Sequence, residues 1–154
     1  MKSTTITAII CSLLVFLFVY TALSKLHDYR GYTTDMYNQP LPHWLTVVLT
    51  PVLPVAELGI AACLMTDRWR ATGCYLSFLL MLAFTFYTLL VLFHTFRYVP
   101  CSCGGMIKSL SWGEHLALDL FFLLLSAAGI FLLKKQPPAD AIPFSREQDF
   151  AENL

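Results

Sequence analysis

Four long apolar runs, residues 6–26, 44–65, 71–93 and 115–133, take up most of the 154-residue chain and leave it few folds to choose from. About 20 apolar residues rising about 1.5 Å each cross the hydrocarbon layer of a bilayer, and within lipid a helix satisfies its own backbone polar groups. The runs therefore predict an all-α fold, a four-transmembrane-helix bundle. The composition agrees, with 57% hydrophobic and 13% charged residues and a mean hydropathy of +0.65, too apolar for an ordinary soluble domain. Residues 1–133 read as one compact membrane domain, and 134–154 as a polar, Pro-bearing tail expected to be flexible.

Lys2 ahead of the first run imitates a secretory signal, but the apolar core is too long for one and three further spans follow, so the run is read as a retained helix. Ten basic and ten acidic residues cancel, which leaves no basic face to attract nucleic acid. The expected partner is the lipid bilayer, and the expected location is the inner (cytoplasmic) membrane, crossed several times. With both termini cytoplasmic, the inner segments carry Lys2, Arg68, Arg70, Lys134, Lys135 and Arg146, against Lys25, Arg30, Arg97 and Lys108 outside. That bias follows the positive-inside rule. Trp44, Tyr98 and Trp112 then mark the outer boundary and Trp69 and Tyr75 the inner one, as in an aromatic belt.

The loops differ in character. The first outer loop, 27–43, mixes Asp28, Gly31, Asp35, Asn38, Pro40 and Pro42 and is expected to break helices and lie in water or headgroups. The inner connection Thr66-Asp67-Arg68-Trp69-Arg70 is short, so the second and third spans should be antiparallel neighbours. Ser111-Trp112-Gly113-Glu114 has the S-x-x-E spacing of a capping box and should start the fourth helix.

The second outer loop, 94–114, carries Pro100-Cys101-Ser102-Cys103-Gly104-Gly105. In the orientation above these thiols face an oxidising space, where disulfides persist. A disulfide between residues so close in sequence closes a small strained ring that is easily reduced, which suits exchange better than stapling. Gly104 and Gly105 widen the accessible backbone angles and Pro100 stiffens the approach. Cys11, Cys63 and Cys74 fall inside helices toward the cytoplasmic side, where a free thiol acts as a small buried hydrophobe.

All four histidines, His27, His43, His94 and His115, fall at the outer ends of spans, on the side of the thiol pair. A nearby imidazole takes up a thiol proton or stabilises the attacking thiolate. His115 is the strongest candidate, because Asp119 follows at i+4 on the same helix face and could orient it. Two sulfurs with two imidazoles would also suit zinc, but these histidines come from separate helix ends and lack paired spacing. No metal site is assigned.

Glu57 lies well inside the second span, after Pro51 and Pro54. A carboxylate there must face the bundle interior, be protonated or have a partner. The prolines free backbone carbonyls and bend the helix, which could open a polar pocket for a proton or a quinone headgroup. A structural interhelical hydrogen bond is the plainer role. Lys25, at the outer end of the first span, could snorkel outward or pair with an acid that the sequence does not identify.

Ser24-Lys25-Leu26, Leu53-Pro54-Val55-Ala56-Glu57-Leu58-Gly59 and Cys101-Ser102-Cys103-Gly104-Gly105 ahead of Trp112 together resemble the methylamine utilisation protein MauE family, within the DoxX-like group of four-helix membrane proteins. The resemblance covers most of the chain up to Leu133. It implies a redox-associated membrane protein that supports disulfide formation or maturation of exported proteins, alongside thioredoxin-like partners. It does not imply methylamine metabolism. The chain departs from the family pattern at Gly104, where an aromatic is common, and at Leu118-Asp119, where an Arg-Asn pair is common.

The expected function is therefore thiol-disulfide exchange by Cys101 and Cys103 with an exported thiol protein. His115 and Asp119 would assist, Glu57 would serve a proton or quinone site, and a membrane quinone would be the second partner. The competing expectations are a non-catalytic scaffold subunit of a membrane complex and a metal-binding membrane protein.

Overall fold

A computed structural model describes residues 2–93 and 111–135 of the chain. Among these residues every regular element is helical: α1 (Lys2–His27), α2 (Tyr29–Tyr37), α3 (His43–Met65), a 3-10 turn (Asp67–Trp69), α4 (Arg70–Leu92) and α5 (Trp112–Lys135). Cys101, Cys103, His94, Tyr98 and the tail from 136 onward lie outside the described residues.

Four of the helices are long and apolar enough to span a membrane, over Thr5–His27, His43–Met65, Asp67–Leu92 and Gly113–Lys135. Their outward faces carry Phe16, Val55, Leu79, Phe86, Leu124 and Phe131, each more than half exposed. Water would penalise such a surface, whereas lipid tails are as apolar as the side chains. The interior holds small polar residues as well as apolar ones, with Thr7, Ser77, Thr85 and Ser126 all buried. Thr85 and Ser126 return their hydroxyls to the carbonyls of Met81 and Phe122 one turn back, at 2.8 and 2.9 Å, so neither of these two donors is stranded in hydrocarbon.

α1 packs most closely on α3 and α4 on α5, while α3 against α4 and α1 against α5 close the ring. Away from α2 the centre is filled by Leu14, Phe18, Leu64 and Cys74, all essentially inaccessible. A Cβ on Gly73 would lie 2.9 Å from the Leu64 backbone nitrogen, so glycine is what lets α4 approach α3 so closely. Cys11 and Cys74 are buried, Cys63 is half-buried, and all three are free, as expected of thiols inside spans. Trp44, Trp69 and Tyr75 are exposed near helix ends, in keeping with interfacial anchoring. The capping box at α5 forms as its spacing predicts. Ser111 N–H and Oγ–H donate to Glu114 Oε2, both at 2.8 Å, and Glu114 N–H donates back to Ser111 Oγ at 3.4 Å.

The loop expected over 27–43 instead contains the helix α2. Asp28 does not break the helix but starts it, its Oδ1 accepting the Gly31 N–H at 3.0 Å. A Cβ at position 31 would lie 2.2 Å from Asp28 Oδ2, so the cap needs that glycine. Tyr32 and Met36, one turn apart, are buried and fold α2 down onto α3.

α3 runs unbroken through Pro51 and Pro54. Proline at 54 has no N–H to offer the Thr50 carbonyl, and α2 supplies the substitute: Tyr32 O–H donates to that oxygen at 3.0 Å. The freed carbonyl is thus the anchor that holds α2 in place. Tyr32→Phe should lower stability by about 1–3 kcal/mol, the cost of a stranded buried acceptor, in denaturant titrations of the purified protein. In a Pro54→Ala background, where a backbone N–H is restored, the same change should cost nearly nothing.

Candidate functional site

Between the helix pair α1/α3 and the pair α4/α5, beneath α2, lies a cavity of about 430 Å³. Each helix presents one stripe to it. From α3 come Leu45, Leu49, Leu53 and Glu57, spaced by four, and from α5 come His115, Leu118, Asp119 and Phe122. Those spacings keep side chains on one helical face. α1 contributes Thr21 and Lys25, α4 contributes Phe84 and Thr88 among others, and Tyr32, Met36 and Gln39 come from α2 and its C-terminal end.

Cross-helix polar bonds border this space. Lys25 Nζ donates to Glu57 Oε1 at 2.7 Å and Oε2 at 2.9 Å, with the two side chains only 4% and 1% exposed. Helical side chains lean toward their own N-terminus, so on the antiparallel α1 and α3 these two lean toward each other. Lys25 therefore points into the bundle and does not snorkel out of it. On the opposite side Thr88 O–H donates to Asp119 Oδ2 at 2.8 Å, joining α4 to α5. Tyr87 O–H donates to Gln39 Oε1 and ties α4 to the end of α2. The Lys25 ammonium also sits 6.0 Å from the Tyr32 ring centroid, close enough for a weak cation–π attraction.

Glu57, His115 and Asp119, picked out in the sequence, are all buried and all line this one cavity. His27 and His43 do not join them. His27 is exposed at the end of α1, and His43 is exposed with its ring 5.6 Å from that of Tyr37. Among the described residues no group of three or more His, Cys, Asp or Glu side chains is arranged to hold a metal ion. Thr88, Tyr32, Gln39 and Lys25 were not singled out as a set. The four-residue spacing from Leu45 to Glu57 was the available signal, since it marks a stripe of α3 that ends on a charge.

The family model of the methylamine utilisation protein MauE matches residues 3–132. The chain belongs to the MauE family. No curated protein and no solved structure shows significant similarity to it. It is a multi-pass membrane protein of that family, with four candidate spans in a lipid bilayer. Two of the stretches that carry the family resemblance meet in space, because Ser24-Lys25-Leu26 and the Pro54–Glu57 stretch supply the two ends of the buried ion pair.

An ion pair held out of water tolerates loss of both charges better than loss of one. Lys25→Met or Glu57→Leu alone should destabilise the bundle by about 3–5 kcal/mol, and the double substitution should recover most of that loss. Unfolding of the purified variants in a denaturing detergent titration measures the coupling directly.

Proposed function

We propose that this MauE-family protein performs thiol–disulfide exchange through Cys101 and Cys103, with an exported thiol or thioredoxin-like protein as partner. The site would face the oxidising side of the cytoplasmic membrane, with both termini inside. What supports this is the setting of the thiol segment. In the sequence it falls between α4 and α5, and α5 holds His115 and Asp119 buried at the wall of the interhelical cavity.

The exchange runs in two displacements. A thiolate of the reduced partner attacks one sulfur of the Cys101–Cys103 disulfide, forming a mixed disulfide and releasing the other cysteine as thiolate. The partner's second thiolate then attacks its own sulfur in the mixed bond, leaving the partner oxidised and the Cys101/Cys103 pair reduced. Two electrons and two protons have passed to the membrane protein. His115 would take up a proton from the departing thiol, and Asp119, anchored by Thr88, would position it.

Single Cys101→Ser and Cys103→Ser variants should each retain one sulfur, and one of them should accumulate a mixed disulfide with an exported protein. Non-reducing gels followed by mass spectrometry read this out. If neither variant captures a partner and both thiols of the native protein stay reduced in cells, the exchange mechanism is wrong and a scaffold role takes its place. His115→Ala should lower the alkylation rate of the reduced pair near neutral pH, because less of it is then held as thiolate.

A further inference from the structure

We propose that the interhelical cavity binds the ring of an isoprenoid quinone, which removes the electrons that the thiol pair collects. This rests on the exchange reading above and supplies its acceptor. The cavity, about 430 Å³, falls within the roughly 300–1,000 Å³ of small-molecule sites. Its body is leucine and phenylalanine, and its lining includes polar groups on two facing sides, Lys25 with Glu57 on α1/α3 and Thr88, His115 and Asp119 on α4/α5, with Tyr32, Gln39 and Tyr87 at the α2 end. A quinone ring has this pattern, with two apolar faces and two acceptor oxygens at opposite edges. The Lys25 ammonium has three N–H donors, of which Glu57 takes two, so one remains for a carbonyl oxygen at the cavity wall.

Other occupants of the cavity fit less well. A lipid acyl chain would leave both polar sides facing hydrocarbon. A phosphate headgroup needs an uncompensated cation, and Lys25 is already neutralised by Glu57. Ala83 lines the cavity and is exposed, so the space reaches the lipid-facing surface of α4, where an isoprenoid tail can leave it. The redox step balances: the Cys101 and Cys103 thiols lose two electrons and two protons and join as a disulfide. The quinone gains both and becomes the quinol.

The test uses the full chain in phosphatidylcholine nanodiscs with an azido derivative of decylubiquinone, photolysed and mapped by peptide mass spectrometry. Label should fall on cavity-lining peptides of α3, α4 and α5, and unlabelled decylubiquinone should compete where added phosphatidylcholine does not. Ala83→Phe, which fills the opening without touching either polar bond, should weaken that competition at least about tenfold with helicity unchanged. Ala128→Phe, exposed elsewhere on α5, should leave it unchanged. Label spread evenly over lipid-facing positions, competition by phospholipid, or indifference to Ala83→Phe would overturn the site. Mixing the dithiol form with decylubiquinone should yield about one quinol per chain, and the Cys101→Ser/Cys103→Ser double variant should bind but yield none. Cavity labelling without quinol formation overturns the quinone's role as electron acceptor, whereas failure to trap a mixed disulfide overturns the exchange reading. Partner trapping without cavity labelling overturns the quinone site alone.

Discussion

The architecture depends on a charge pair that lipid forbids anywhere except inside the bundle. Lys25 and Glu57 would each carry a large desolvation penalty alone, and together they fix which faces of α1 and α3 meet. The hydrophobic effect cannot make that choice in a bilayer, because lipid tails are as apolar as leucine, which leaves close packing and polar contacts to decide it. The ion pair selects a register, and the Thr88–Asp119 bond does the same for α4 and α5. Two helix pairs, each joined by such a polar contact, then stand face to face. The space left between them is lined by the groups that joined them.

The same logic explains α2. Proline at 54 removes a donor from α3, and the orphaned Thr50 carbonyl recruits Tyr32 from outside the helix. An apparent defect in a transmembrane helix thus becomes the attachment point for a short helix that covers the cavity at one end. Gln39 and Tyr87 hold the end of that helix against α4. At the opposite end of the bundle the packing is closer, with Gly73 allowing backbone approach and Leu14, Phe18 and Leu64 filling the centre. A closely packed half and a hollow half with a few buried polar groups suit a protein that holds a ligand in one leaflet.

Much of this was written in the chain, and the parts that were not have physical reasons. The four spans and the Ser111–Glu114 cap were legible because each is decided within a few consecutive residues. The interior position of Glu57 was legible because a carboxylate has few alternatives in lipid. Its partner was not, because Lys25 lies 32 positions away and helix register is a property of two helices, not of one. α2 was missed because Asp28 and Gly31 look like breakers in a list of residues, yet act as a cap when three positions apart. The cavity was missed for a similar reason: each helix shows only its own stripe. Cys101 and Cys103 stand out in the sequence and lie outside the described residues, so their role rests on chemistry and family.

An interhelical cavity that drains electrons from a thiol pair on the oxidising side of the membrane ties the state of those thiols to the quinone pool. The most direct measurement is the redox state of Cys101 and Cys103 in intact respiring cells, trapped by acid quenching and read by alkylation mass shift, before and after the quinone pool is driven fully reduced. The account predicts a largely oxidised pair that becomes reduced when quinone is reduced, with the thiols then open to a membrane-impermeant maleimide. A pair whose state ignores the quinone pool, or that the impermeant reagent reaches only after the membrane is broken, would contradict it.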